Sequence, residues 1–177
     1  MPDINTGFSN FHYRVIGWNA SIKPKALTGA IKLSFRPQTQ ERTVLVRTSG
    51  GLIQQQVLGK RESIRTASLQ VISLPESFLI DVLGWEVSDG GRLVEGEFPE
   101  KHLQIRYETN NLGEPMRHLL YDVVVSKPSF DVSTISSTPS ADIRSLELTV
   151  NPTANGKYQA RVRPGDPDYD TWFDQVT

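Results

Sequence analysis

The sequence predicts a mainly β protein, an antiparallel β-sandwich with one short flanking α-helix. Three observations lead there. Apolar residues alternate with polar ones over most of the chain, as strands with one buried face require. Turn-forming pairs lie between the alternating runs. A helical period appears in only one confident stretch.

The elements follow in chain order. In "IKLSF", Ile31, Leu33 and Phe35 share one face and Lys32 and Ser34 the other, and "TVLVR" (43–47) resumes the pattern after a polar link, "RPQTQER". Residues 47–63 read as the tip of a long hairpin, rich in Gly and Gln and without a clean period. "RTASLQVI" alternates again through Ala67, Leu69 and Val71.

"SLPESFLIDVLGW" then changes period. Ser73 and Glu76 have capping-box spacing, Pro75 falls in the first turn, and Gly84 supplies the stop. Phe78, Leu79, Val82 and Leu83 form the apolar stripe, so the spacing predicts a helix over 74–83 whose core side is those four residues.

Four further strands are expected. "HLQIRY" alternates Leu103, Ile105 and Tyr107; "LELTV" alternates Leu146, Leu148 and Val150; "KYQARV" alternates Tyr158, Ala160 and Val162. The fourth, Leu119–Val125, is apolar on both alternating faces apart from Asp122 and ends before Pro128, so it should be covered on both sides. Asp89-Gly90-Gly91, Asn110-Asn111, Asn151-Pro152 and Asn155-Gly156 provide the reversals, which implies hairpins and meanders rather than crossovers. Residues 133–142 read as a long polar loop, and "PDYDTWF" as a weak terminal turn of helix. The resulting division is an N-terminal arm (1–25), a sandwich domain (26–165) and a C-terminal arm (166–177).

Composition narrows the chemistry. The net charge of −1 and pI near 6.3 provide no overall basic field for nucleic acid. The absence of cysteine removes disulfides, thiolate chemistry and sulfur-rich zinc sites, and together with the lack of an export signal it predicts an intracellular product. No apolar window is long enough for a membrane span. Gly59-Lys60 lacks the neighbours of a phosphate loop. Asp166, Asp168 and Asp170 alternate like the start of a calcium loop, but Thr171 and Thr177 stand where the glycine and bidentate glutamate belong. His12, His102 and His118 have no metal-ligand spacing, so neither an enzyme nor a cofactor nor a metal is expected. Surface remains. Trp172 and Phe173 near one end, and Phe8, Phe11 and Tyr13 near the other, should dock on this chain or on a neighbouring copy. Leu52, Ile53, Gln54, Gln55, Gln56, Val57 and Leu58 combine apolar content with no internal partner. With Trp172 and Phe173 they are the candidate subunit or ring-to-ring interface.

The order "ALTGAIKLSF", "SFLIDVLGW…GG", "GEPMRHLLYDVVVSKPS", "LELTVNP…NG" and "TWF" resembles the major tail (tail tube) proteins of long non-contractile-tailed bacteriophages, the phi13-like group. The resemblance covers about residues 26–177. It implies a virion protein made in the host cytoplasm, hexameric rings stacked into a tube, and tape-measure and tail-terminator proteins as partners. DNA would pass through without tight binding. About four strands from each of six subunits would close a barrel of about 48 Å, leaving about 38 Å for a duplex of about 20 Å. Two other readings compete: a tail terminator or the inner-tube protein of a contractile injection system, and a carbohydrate-binding β-sandwich using Trp18 and Trp85.

Overall fold

The computed structural model describes residues 5–47, 53–111, 114–128 and 143–175; side chains are described there except at 5–6, 37–64 and 111. The fold is mainly β and antiparallel, a β-sandwich with one short helix. Among the described residues, ten strands and one helix are numbered in chain order: β1 Asn5–Val15, β2 Lys25–Ala26, β3 Ala30–Arg47, β4 Ile53–Val71, α1 Glu76–Leu83, β5 Trp85–Val87, β6 Leu93–Glu95, β7 His102–Asn111, β8 Glu114–Val125, β9 Arg144–Val150 and β10 Gln159–Val162. The large sheet runs β2-β1-β7-β8-β9-β4-β3 with β10 also on β8, and β5–β6 form a separate two-stranded sheet.

β8 joins the two halves. One edge pairs with β7; the other is divided between β10, along Arg117–Leu120, and β9, along Val123–Val125. The two ends of the sheet then approach each other, with β1 in contact with β3 and the Phe35 and Tyr107 rings 6.4 Å apart. Leu69, Val71, Leu146, Leu148 and Val150 meet Tyr13, Leu103, Ile105 and Val123 in a single core. The helix adds Phe78, Val82 and Leu83, and Leu79 packs half-buried beside it.

Bulges account for several departures from the simple alternating pattern, because one extra residue reverses which face follows. In β1 the pairing slips between Ser9 and His12, where Asn10 takes a positive φ of 52°. Phe8 and the buried Phe11 and Tyr13 can then all turn toward the core despite their odd spacing. From Asn5 on, the segment expected as an N-terminal arm enters the sheet, where β1 is an interior strand. Likewise β7 passes from Leu103 to Ile105 while β8 passes from Val123 to Leu120, so the core phase changes from Leu120 to Val123 and Val125. At Ile31 the slip against β4 leaves that side chain exposed rather than on the face of Leu33.

The expected polar link at 36–42 is paired strand, and β3 is continuous to Arg47. Pro37 is accommodated because β3 is the last strand of the sheet, where a missing amide donor breaks no inner ladder. The expected hairpin tip at 47–63 is also largely strand: the ladder reaches Arg47 opposite Ile53, and Leu52 lies outside the described residues. Slips near Leu58 and Ser63 explain why this stretch lacked a clean period.

The helix starts two residues later than expected. Pro75, extended at φ −65° and ψ 148°, is the N-cap with no side-chain cap, so Ser73 does not close a capping box. Gly84 at φ 76° ends the helix and donates its N–H to the Leu79 carbonyl, a left-handed cap that suits glycine. The polar loop expected at 133–142 lies outside the described residues.

Candidate assembly interface

Among the described residues, the longest feature outside the sandwich is the distal part of the paired strands β3 and β4. β4 pairs with β9 only along Arg65–Val71, whereas its pairing with β3 continues through Ile53. The twelve residues Ile53–Ile64 thus form a two-stranded arm about 40 Å long, with no third strand beside it among the described residues. Such a ribbon presents backbone N–H and C=O groups along both outer edges, and two strands alone are marginally stable in water. Of the sequence candidates, Ile53, Gln54, Gln55, Gln56, Val57 and Leu58 all lie in this arm on β4.

The C-terminal segment differs. Residues 166–175 form consecutive tight turns, with Tyr169 N donating to Asp166 O, Trp172 N to Tyr169 O and Asp174 N to Thr171 O. They cover the outer face of β1, β7 and β8. Trp172 is 7 % exposed and its Nε1 donates to the His118 carbonyl at 3.3 Å. The Phe173 ring lies 4.8 Å from His12, and the Arg117 guanidinium sits over both Tyr169 (3.9 Å) and Phe173 (5.1 Å). Arg106, 2 % exposed, donates to the Gln175 carbonyl, and Arg117 donates to the Tyr169 carbonyl. Both aromatics therefore dock on their own chain, and residues 166–175 of the expected C-terminal arm lie against the sheet. This covering also explains the doubly apolar strand. Leu119 lies opposite Arg106, on the face that the C-terminal segment covers, while Leu120 turns inward.

Burial first, and neighbouring arginines second, pull two titratable groups of this region out of their ordinary ranges. Burial, with Arg14 nearby, lowers the Arg106 pKa. His118 is lowered to about 4, first by burial and then by the Arg161 charge. It is a structural imidazole, stacked on Tyr107 at 4.7 Å and hydrogen-bonded through Nε2 to Thr109 Oγ1 at 2.8 Å.

A second fixed point is the helix. Asp81 Oδ2 accepts from Tyr13 Oη at 2.9 Å and from Lys25 Nζ at 2.6 Å, and the Asp81 carbonyl accepts from Lys101 Nζ at 2.7 Å. Burial holds the Tyr13 hydroxyl protonated beyond its usual range; Ser77 opposes this and Asp81 adds to it. Tyr13 also meets Phe78 edge-on at 5.0 Å.

The remaining sequence candidates are dispersed. Asp166 caps a turn by accepting from Arg163 N at 2.8 Å, and His102 pairs with Asp122 at 2.6 Å. Among the described residues no three His, Cys, Asp or Glu converge as a metal site. Trp18 and Trp85, the aromatics a glycan site would need, are partly buried against the core. A cleft of about 390 Å³ lies between Phe98, His102, Val124, Lys127 and Asn151, open to solvent. Sequence reasoning missed Arg106, Arg117 and Asp81, because the two arginines in their strands and the aspartate on the helix each read as an ordinary outward polar residue.

No protein-family model matches the chain, and no curated protein matches it. Among solved structures, the chain is similar in outline to a chain of the anti-feeding prophage (AFP) baseplate, a six-fold symmetrised cryo-EM structure. The TM-score is 0.42 and the identity 10 %, over 94 % of this chain and 98 % of that one.

Proposed function

We propose that this protein is a structural, non-catalytic subunit of a phage-tail-type particle, one that assembles with copies of itself into stacked rings forming a tube for DNA. The observation supporting this reading is the β3–β4 arm, a ribbon of about 40 Å with both edges unpaired among the described residues. An edge of that length is a hazard for a monomer and an asset for a subunit, because pairing with a neighbour completes its backbone hydrogen bonds. The resemblance of residues 26–177 to tail tube proteins points the same way. A near-neutral overall charge suits a conduit, since a strongly cationic lumen would retain phosphates through counterion release.

Negative-stain electron microscopy and sedimentation of the purified, concentrated protein test the proposal. Open-ended tubes of uniform width are expected. Closed single rings would move the protein to a terminator role, and a monomer at every concentration would refute self-assembly. The assembled protein should bind added duplex DNA only weakly; tight binding with a steep salt dependence would contradict a passive conduit.

A further inference from the structure

We infer that the β3–β4 arm of one copy docks on the α1–β5–β6 face of a second copy, an inference resting on the self-assembly proposed above. Charge segregation along the chain supports it. Residues 36–65 contain six cations, from Arg36 to Arg65, against Glu41 and Glu62, a net +4. Residues 76–100 contain seven carboxylates against Arg92 alone, a net −6. A total of −1 therefore conceals two strongly opposed segments, with about +1 left for everything else.

The acidic segment has an exposed surface. Asp81 and Glu95 are already engaged, Asp81 by Lys25 and Glu95 by Lys127. Glu76, Glu86, Glu97 and Glu100 are exposed and form no ion pair among the described residues. Apolar area accompanies them: Val94, 49 % exposed, lies opposite Glu86 in the β5–β6 ladder, so valine and carboxylate share a face, while the exposed Val87 points to the other. A basic ribbon with apolar residues in its sequence matches such a face in both respects.

The occupant is a second copy because the arm cannot fold back onto its own acidic face. The outer end of the arm, at Ile53, and α1, which follows Val71, lie at opposite ends of β4, whose 19 residues span about 60 Å. A contact that joins one end of a subunit to the other end of the next is heterologous and leaves a free arm and a free acidic face at each step. It therefore builds open polymers or stacked rings rather than closed dimers.

Paired charge reversals test the inference. R42E with R61E in the arm, and E86K with E97K in the acidic face, should each raise the critical concentration for elongation by about tenfold or more. All four together should restore it to within about threefold of the parent. Either pair elongating like the parent, or the quadruple variant elongating no better than the pairs, would overturn the inference. If a reversed pair fails to fold, as circular dichroism would show, a salt series on the unmodified protein replaces it. A critical concentration rising with sodium chloride is expected, and a salt-independent one refutes the contact. Should the unmodified protein not elongate at all, the proposed function fails as well; elongation indifferent to charge removes only this contact.

Discussion

The β3–β4 arm and the C-terminal segment are both peripheral, and they resolve the same physical problem in opposite ways. The C-terminal turns have no sheet of their own, yet Trp172, Phe173 and the Arg106 and Arg117 guanidinium groups fix them to β1, β7 and β8 of the same chain. The arm has regular strand pairing, yet beyond Arg65 no other part of the described chain lies in register with it. Regular secondary structure is thus a poor guide to which segment is complete. Backbone ladders remain open on an unpaired ribbon, whereas irregular turns are satisfied when side chains reach their carbonyls.

The sharpest way to break the comparison is to weaken the segment that is already docked. Trp172→Ala removes a buried indole and the bond to the His118 carbonyl. A loss of about 3 kcal/mol in urea unfolding is expected, with elongation retained by the folded fraction. Unchanged stability would mean that the segment is not held as described. In the helix, Phe78→Ala should cost about 3–4 kcal/mol and Leu79→Ala clearly less, because Phe78 is fully buried and Leu79 only half so. Equal losses would contradict that packing. Arg117→Ala leaves Glu108, 2.9 Å away, without its cation and uncovers Tyr169; about 1–2 kcal/mol is expected.

The smallest effect is a pH dependence. His118 is held near pKa 4 in the folded protein, against 6.5 when unfolded, so the unfolded chain takes up the proton first. The His118 contribution is complete above pH 6.5 and is lost as pH falls toward 4. The thermal midpoint should drop across that window, and H118Q should flatten the drop. An identical drop in H118Q would assign it to other groups.

What the sequence conceals follows from the same bulges. Strands with uninterrupted alternation, such as Ala67–Val71 and Leu146–Val150, are legible because period two maps directly onto one buried face. β1 is not, since the slip at Asn10 puts Phe8 out of step with Phe11 and Tyr13. β8 reads as apolar on both faces for a related reason: its inward phase changes between Leu120 and Val123, and the C-terminal segment covers Leu119 from outside. The helix was legible through Phe78, Val82 and Leu83, but its N-cap was not, because Pro75 starts the helix without a side-chain cap. Of the candidate interface, the apolar residues of 53–58 could be found by composition. Their place in an extended ladder could not, since the pairing of Ile53–Val57 with Thr43–Arg47 leaves no local signal once bulges interrupt the period.

The central claim is that the arm is external to the folded subunit and is completed by another copy. Its most direct test removes residues 39–63 and joins Gln38 to Ile64, which are paired in the ladder, through Asn-Gly, a two-residue hairpin turn. Electron microscopy and thermal unfolding of that variant beside the parent give the answer. A folded subunit with a nearly unchanged melting temperature and no elongation is predicted. Normal tubes, or a subunit that no longer folds, would contradict the account.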